Sequence, residues 1–304
     1  MTPLAGLIKR NVKLFFKDKG MFFTSLITPA ILLILYASFL GNVYRDSFLA
    51  AVPPNLPVAD GLIDGLVSGQ LISSILAVSC VTVAFCSNMR MVQDKADGTI
   101  KDFQIAPVGP SALAMGYYLS ALAAALLICF IALGLCLGYT AVTGWYMTAG
   151  DIGLLLLDVF LLTLFGTALS SIVNFFLRSQ GQITAVETLI SAGYGFICGA
   201  YMPISQFSGG LQKAVAFLPG TYGTALIRNH ALGGVFAEMS RQGIPAEVTE
   251  GLKDAVDCNL YFFGSRVDMG TMYLILGGTV VLLIGVYTAL HVRRANRWKR
   301  RLQS

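Results

Sequence analysis

Hydrophobic and polar positions alternate along this chain on the scale of whole segments. Six long apolar stretches cover residues 22–40, 66–85, 113–140, 152–176, 183–201 and 272–291. Each approaches or exceeds the ~20 residues that a helix needs to cross ~30 Å of hydrocarbon. Inside lipid only a helix or a closed barrel satisfies its own backbone, and these stretches are too long for barrel strands. The pattern predicts an all-α polytopic membrane protein with six transmembrane helices. An even number of spans puts both termini on one side.

The segments between the spans carry patterns of their own. Residues 3–19 predict an N-terminal interfacial helix: Leu4, Leu7, Ile8, Val12, Phe15 and Phe16 form an apolar stripe, and Lys9, Arg10, Lys13, Lys17 and Lys19 occupy the rest. The first loop holds Pro53, Pro54 and Pro57 and reads as irregular. It leads into Gly61, Gly65 and Gly69, spaced by four on one helix face; Ser191, Gly195 and Gly199 repeat the device. Small residues at that spacing let helices approach closely in lipid, within a subunit or between subunits.

In the second loop, Thr99 and Asp102 follow Gly98 as a short-acid capping box, so a helix is expected to begin there. Ile100, Phe103 and Ile105 give it apolar contacts, and Pro107 and Pro110 end it. Such a helix suits docking on another protein, or serves as a connector lying on the headgroups. The long fifth loop, residues 202–270, starts apolar but broken by Pro203, Gly209-Gly210 and Pro219-Gly220, which suits re-entrant helices rather than spans. From His230 to Asp268 its composition is that of a soluble insert, with a short helix over 246–256 and Tyr261-Phe262-Phe263 as an aromatic anchor before the last span. The insert reads as a passive cap, or as a gate that touches substrate.

Charge adds an orientation. Fifteen of the 21 Lys and Arg lie in the two ends and the even loops, and five of the remaining six lie in the long fifth loop. Loops of that length escape the positive-inside rule, so both termini are expected in the cytoplasm. The net charge of +5 is thus an orientation signal and implies no nucleic acid. Only 12% of residues are charged and mean hydropathy is +0.72, as a lipid-facing surface requires. The N-terminal stretch lacks a cleavage site for a signal peptide. Cys80, Cys86, Cys129, Cys136 and Cys198 fall in or beside spans and Cys258 in the fifth loop, without metal or disulfide spacing.

Two acids fall inside spans: Asp158 about two turns from the outer end of the fourth, and Glu187 just over a turn into the fifth. A charge in lipid costs several kcal/mol, so each should face protein or a wet cavity. Each is either functional or held by a structural hydrogen bond, for instance from the abundant Ser and Thr hydroxyls. No metalloprotease, nucleophile-elbow or phosphate-loop motif occurs, so no catalytic residue, metal or cofactor is expected on this chain.

Asp94-x-x-x-Gly98-Thr99-x-x-x-Phe103-x-x-x-Pro107 resembles the second-loop segment of bacterial type-2 ABC transporter permeases. The resemblance extends over the whole chain, from the basic N-terminal helix to Gly199-Ala-Tyr-Met-Pro203, Pro219 and Arg228 ahead of the last span. It implies one transmembrane domain over 1–304, with residues 1–20 as the connecting helix and 292–304 as a basic tail. Asp94, Gly98, Thr99, Ile100, Asp102, Phe103 and Pro107 would form the coupling segment against an ATPase subunit. Lys9, Arg10, Lys13 and Phe16 would make a second contact, and Gly199, Pro203, Pro219 and Arg228 would mark the outer re-entrant region. The implied partners are an ABC ATPase chain carrying ATP and Mg, a second permease copy or a homologous permease, and membrane lipid. The implied function is ATP-driven export of a small molecule, peptide, lipid-like compound or ion across the cell membrane. An ATPase-linked sensor or immunity subunit and an ion-gradient-driven secondary transporter are the alternatives. Two departures stand out: Asp94 replaces the family's usual Glu, and the insert over 230–268 is longer than in the shortest members, such as polysaccharide-export permeases.

Overall fold

A computed structural model describes residues 3–51, 58–105 and 108–303. Helix α1 (Pro3–Lys17) is followed by α2 (Lys19–Leu35), a π-helical turn (Tyr36–Leu40) and α3 (Gly41–Ala51), which continue as helix without interruption. The loop expected from Gly41 is therefore helical up to Ala51, and the prolines Pro53, Pro54 and Pro57 lie outside the described residues. Then come α4 (Asp60–Ser87), the short α5 (Arg90–Ala96) and α6 (Ile100–Ile105), and the long α7 (Pro110–Thr143) and α8 (Ala149–Phe176). Helices α9 (Gln180–Ile197), α10 (Gly209–Val215), α11 (Pro219–Arg241) and α12 (Ala246–Ala255) follow. A hairpin of β1 (Leu260–Phe262) and β2 (Ser265–Val267) precedes α13 (Met269–Gln303).

Among the described residues, five helices are long and apolar enough to cross a membrane: Phe22–Ala50, Asp60–Ala96, Pro110–Thr143, Ala149–Phe176 and Met269–Arg297. The expected span over 183–201 corresponds to α9, whose 18 residues reach ~27 Å. Gln180, Gln182, Thr184, Glu187 and Thr188 dilute its apolar character.

Helix α4 is the axis of the bundle. Its most apolar window is buried along its whole length, and α2, α7, α8, α9 and α11 pack around it. A helix buried on every side has no polar face, so α4 shows no periodicity. Ser68, Ser73 and Thr82 turn their hydroxyls to the helix's own backbone, as when Thr82 donates to the carbonyl of Val78 at 3.0 Å. By contrast, α2, the π-helical turn after it and α13 leave Phe23, Ile34, Phe39, Leu274 and Val281 exposed, a surface suited to lipid or a partner helix.

The glycine stripe on α4 packs inside the subunit. A Cβ on Gly65 would lie 2.7 Å from the Tyr146 ring, and one on Gly69 2.5 Å from Leu232. On α9, a Cβ on Gly195 would meet the Tyr201 ring, which folds back from the same strand of chain.

The boundary expected at Asn229–His230 does not exist: α11 runs through it without a break. Asn229, His230 and Gly233-Gly234 look loop-like in sequence. They are helical because Leu226, Ile227, Leu232, Val235 and Met239 are buried against α4, α8 and α13. The glycines allow the close approach. A Cβ on Gly234 would lie 2.0 Å from the Tyr146 carbonyl oxygen, a backbone atom that cannot step aside. Gly234→Ala should therefore lower stability by about 1–3 kcal/mol, read as a drop in the thermal midpoint of the detergent-purified protein. All six cysteines are buried as free thiols.

Candidate functional site

The segment between α4 and α7 is bound to α1 by a buried carboxylate. Helix α1 buries Leu7, Asn11 and Phe15, one residue per turn, largely against α7, and a Cβ on Gly116 would touch Leu7 at 3.1 Å. The opposite side of α1 keeps Lys9, Lys13 and Phe16 exposed. Arg10 sits between these faces and reaches α5. Its Nη1 donates to Asp94 Oδ2 at 2.8 Å and its Nη2 to Asp94 Oδ1 at 3.2 Å. The Tyr117 hydroxyl donates to the same Oδ2 at 2.8 Å, and Arg90 Nε lies 3.5 Å from Oδ1. Bidentate pairing of this kind fixes orientation as well as distance. The hydrogen bond to Asp94 holds the Arg10 guanidinium above its ordinary pKa.

Arg10 also stacks on Phe103, 5.1 Å from the ring centroid. One arginine thus joins α1 to both short helices of the second loop. Two expectations change here. Asp94 is only 1% exposed, so it is an internal clamp and offers nothing to a partner. Phe103 is half-buried beneath Arg10 rather than displayed. Asp97, Lys101 and Asp102 form the exposed face of the segment, with Thr99 and Ile100 half-buried beside them. Gly98 has φ +80, a conformation that L side chains rarely adopt, and it turns α5 into α6. The expected helix starts at Ile100, closed by backbone bonds from Lys101 to Gly98 and from Asp102 to Thr99. Pro107 lies outside the described residues.

The same loop is fixed to α8 and α13. Lys95 Nζ donates to the carbonyls of Asn174, Phe175 and Leu177 at 2.8, 2.7 and 3.2 Å. A cation at a helix C-terminus satisfies orphan carbonyls and complements the helix dipole. Phe175 is flanked by Lys95 and Arg294, each 5.5 Å from the ring centroid, and by His291 edge-on. Nearby, Asn88 Nδ2 donates to Ser171 and Ser170 Oγ at 2.7 and 2.9 Å, while Asn174 Nδ2 donates to the Asn88 carbonyl at 2.7 Å. Lys95→Met should destabilise the protein by about 2 kcal/mol and raise amide exchange over Asn174–Leu177. Arginine at this position should restore part of that protection.

The opposite end of the bundle contains two further polar knots. Arg228, 1% exposed, donates to the Gly199 carbonyl at 2.8 Å and to Asp257 Oδ2 at 3.4 Å. Asp257 also accepts from the amides of Ile204 (2.7 Å) and Ser205 (3.4 Å). Burial lifts the Asp257 carboxyl above the ordinary carboxylate range, and the charge of Arg228 opposes that rise. Gly199 has φ +75 and a Cβ there would meet Ile204 at 2.8 Å, so the turn after α9 requires glycine. Pro203 precedes the 3-10 turn Ile204–Gln206, and Pro219 opens α11 where its missing N–H has no helical role.

Asp158 on α8 is fully buried between two other elements. Its Oδ2 lies 2.5 Å from His230 Nδ1 on α11, and its Oδ1 accepts from the Tyr273 hydroxyl on α13 at 2.6 Å. The expected Ser or Thr partners are not the ones found. The imidazole was available because α11 enters the bundle. Glu187 is half-buried on α9, and its Oε1 has no hydrogen-bond partner among the described residues. Tyr117, Lys95, Asn88, His230, Tyr273 and Asp257 had no motif to reveal them; His230 stood out only as one of two histidines, 72 residues from Asp158.

No curated protein matches the chain closely enough to count as a relative. A family model described as ABC-2 type transporter matches residues 3–231, which take in the clamp, helices α1 to α10 and the first half of α11. The chain belongs to the ABC-2 type transporter family, as a multi-pass membrane permease subunit of an ABC transporter.

Proposed function

We propose that this permease is the exporting half of an ATP-driven pump, and that the α5–α6 segment is where an ATPase subunit drives it. The observation that supports this reading is the triple tethering of the segment. Arg10 joins it to α1, Lys95 to the end of α8, and the Phe175 cluster to α13. A segment held this way transmits displacement to several spans at once, whereas a loop lying on headgroups would need no such ties. Its exposed residues Asp97, Lys101 and Asp102 face the ATPase, and Lys9 and Lys13 supply a second contact. The segment, α1 and both termini lie on the cytoplasmic side.

ATP and Mg are held by the ATPase chains, and this chain contributes no catalytic group. Two permease domains assemble, a second copy or a homologue, with the exposed apolar face of α2 as the contact. The transported molecule passes outward between them. The buried Asp158–His230–Tyr273 knot is the one observation that favours a second reading, an ion-gradient-driven carrier.

Purification from native membranes in mild detergent separates the two. A phosphate-loop ATPase recovered in near one-to-one ratio is the expected result. Absence of any ATPase, under conditions that keep other membrane complexes intact, would move the assignment to the carrier.

A further inference from the structure

The end of the molecule opposite α1 holds a cavity of about 550 Å³ between α10, the start of α11 and the β-hairpin. Pockets of that size enclose small ligands or headgroups. Four of its wall residues carry charge or a large ring close to the mouth: Lys213, Asp254, Tyr261 and Phe263. The other wall acid, Asp257, is committed to Arg228 and two backbone amides. Lys213 makes no ion pair among the described residues; its ammonium lies 5.7 Å from the Phe263 ring centroid. Asp254 likewise has no cation. Its Oδ1 accepts from Asn259 Nδ2 at 2.7 Å and from the Tyr261 hydroxyl at 3.0 Å, and Asp254 remains exposed. The cavity thus offers one unpaired cation and one unpaired carboxylate, with net charge near zero.

The rim says where the ligand comes from. Phe217, Phe262 and Phe263 are 63%, 37% and 61% exposed and pack on one another, with Phe217 5.2 Å from Phe262 and Phe262 4.9 Å from Phe263. Phe263 and Gly264 form the two-residue hairpin turn, both with positive φ. Asn or Asp is the residue usual at the position of Phe263, so a bulky ring there is held against backbone preference. The hairpin ends two residues before α13, a membrane span, begins. Exposed aromatics at that place belong to the headgroup layer, where an apolar ring is stabilised rather than wetted.

We propose that this cavity binds the headgroup of a zwitterionic phospholipid. The phosphate pairs with Lys213, the amine lies against Asp254 and the ring of Tyr261, and the acyl chains leave across the phenylalanine rim. An anionic headgroup would leave Asp254 without a cation and place a second negative charge beside it. The inference rests on the membrane location of the hairpin and is independent of the ATPase reading.

The test is a titration of delipidated full-length protein in detergent, read by thermal midpoint. The probes are short-chain phosphatidylethanolamine, short-chain phosphatidylglycerol and soluble glycerophosphoethanolamine. Phosphatidylethanolamine is expected to bind at least ~10-fold tighter than phosphatidylglycerol. Asp254→Asn, which keeps the side-chain shape, should remove most of that preference. Lys213→Gln should weaken both lipids by a similar factor, since both carry the phosphate, and because Lys213 is exposed and makes no hydrogen bond among the described residues, this variant should fold. Phe263→Gly, which relaxes the turn, should weaken the lipid without weakening the soluble headgroup. Equal response to both lipids, a preference untouched by Asp254→Asn, or binding untouched by Lys213→Gln would overturn the site. Binding of glycerophosphoethanolamine as tight as that of the lipid would overturn the membrane source and reassign the cavity to a soluble zwitterion.

Discussion

Arg10→Met should release α1 from the bundle. The substitution keeps the aliphatic stem and removes the charge, leaving Asp94 buried with Tyr117 as a neutral donor and Arg90 at 3.5 Å. Breaking one half of a buried ion pair costs about 3–5 kcal/mol, and the lower end applies here because the Arg10 side chain is 30% exposed. The loss should appear as faster amide exchange along α1 and over Arg90–Ala96. The double variant Arg10→Met with Asp94→Leu should recover part of it, because no charge is then stranded. Unchanged exchange in α1 after Arg10→Met would show that Leu7 and Phe15 hold the helix alone, and the clamp would lose its proposed part in coupling.

His230→Leu should have an effect of similar size at the other end. It strands Asp158, fully buried on α8, with Tyr273 as its one remaining hydrogen-bond partner among the described residues. The expected cost is about 3–5 kcal/mol, seen as poor recovery of folded protein and a lower thermal midpoint. Asp158→Asn keeps the shape and both hydrogen-bonding edges and should cost only about 1–2 kcal/mol. The pair of variants also bears on mechanism. If Asp158→Asn folds normally and abolishes transport while ATP hydrolysis continues, the carboxylate carries an ion. Retained transport makes the knot structural.

Much of the bundle was legible because hydropathy marks a membrane-spanning helix whether it faces lipid, as α13 does, or is enclosed by other helices, as α4 is. The edges and the knots were not. Hydropathy starts the second span at Leu66, yet α4 starts at Asp60, because Arg45 pairs with both Asp60 and Asp64 and lets charged residues join the helix. Helix α11 was hidden because its polar residues have partners supplied by other elements: Arg228 meets Asp257, 29 residues on, and His230 meets Asp158, 72 residues back. Local sequence carries no trace of such pairings. Asp94 shows the same limit from the other side. The motif marked it for contact with an ATPase subunit, but the partner found is Arg10, 84 residues away, and only the packing of α1 on α7 brings them together.

The burial of every cysteine has a practical consequence. Thiol reagents act on accessible thiolates. The one cysteine outside the spans, Cys258, is closed to them twice over, since burial both covers it and pushes its thiol up to about 12. The native chain is thus already a silent background for site-directed labelling, with no need to strip its own cysteines. A single cysteine at exposed Lys101 and another at exposed Glu247 mark the two ends of the bundle. A membrane-impermeant maleimide on intact cells then labels whichever end faces outward, and reads the sidedness of the whole molecule from two positions.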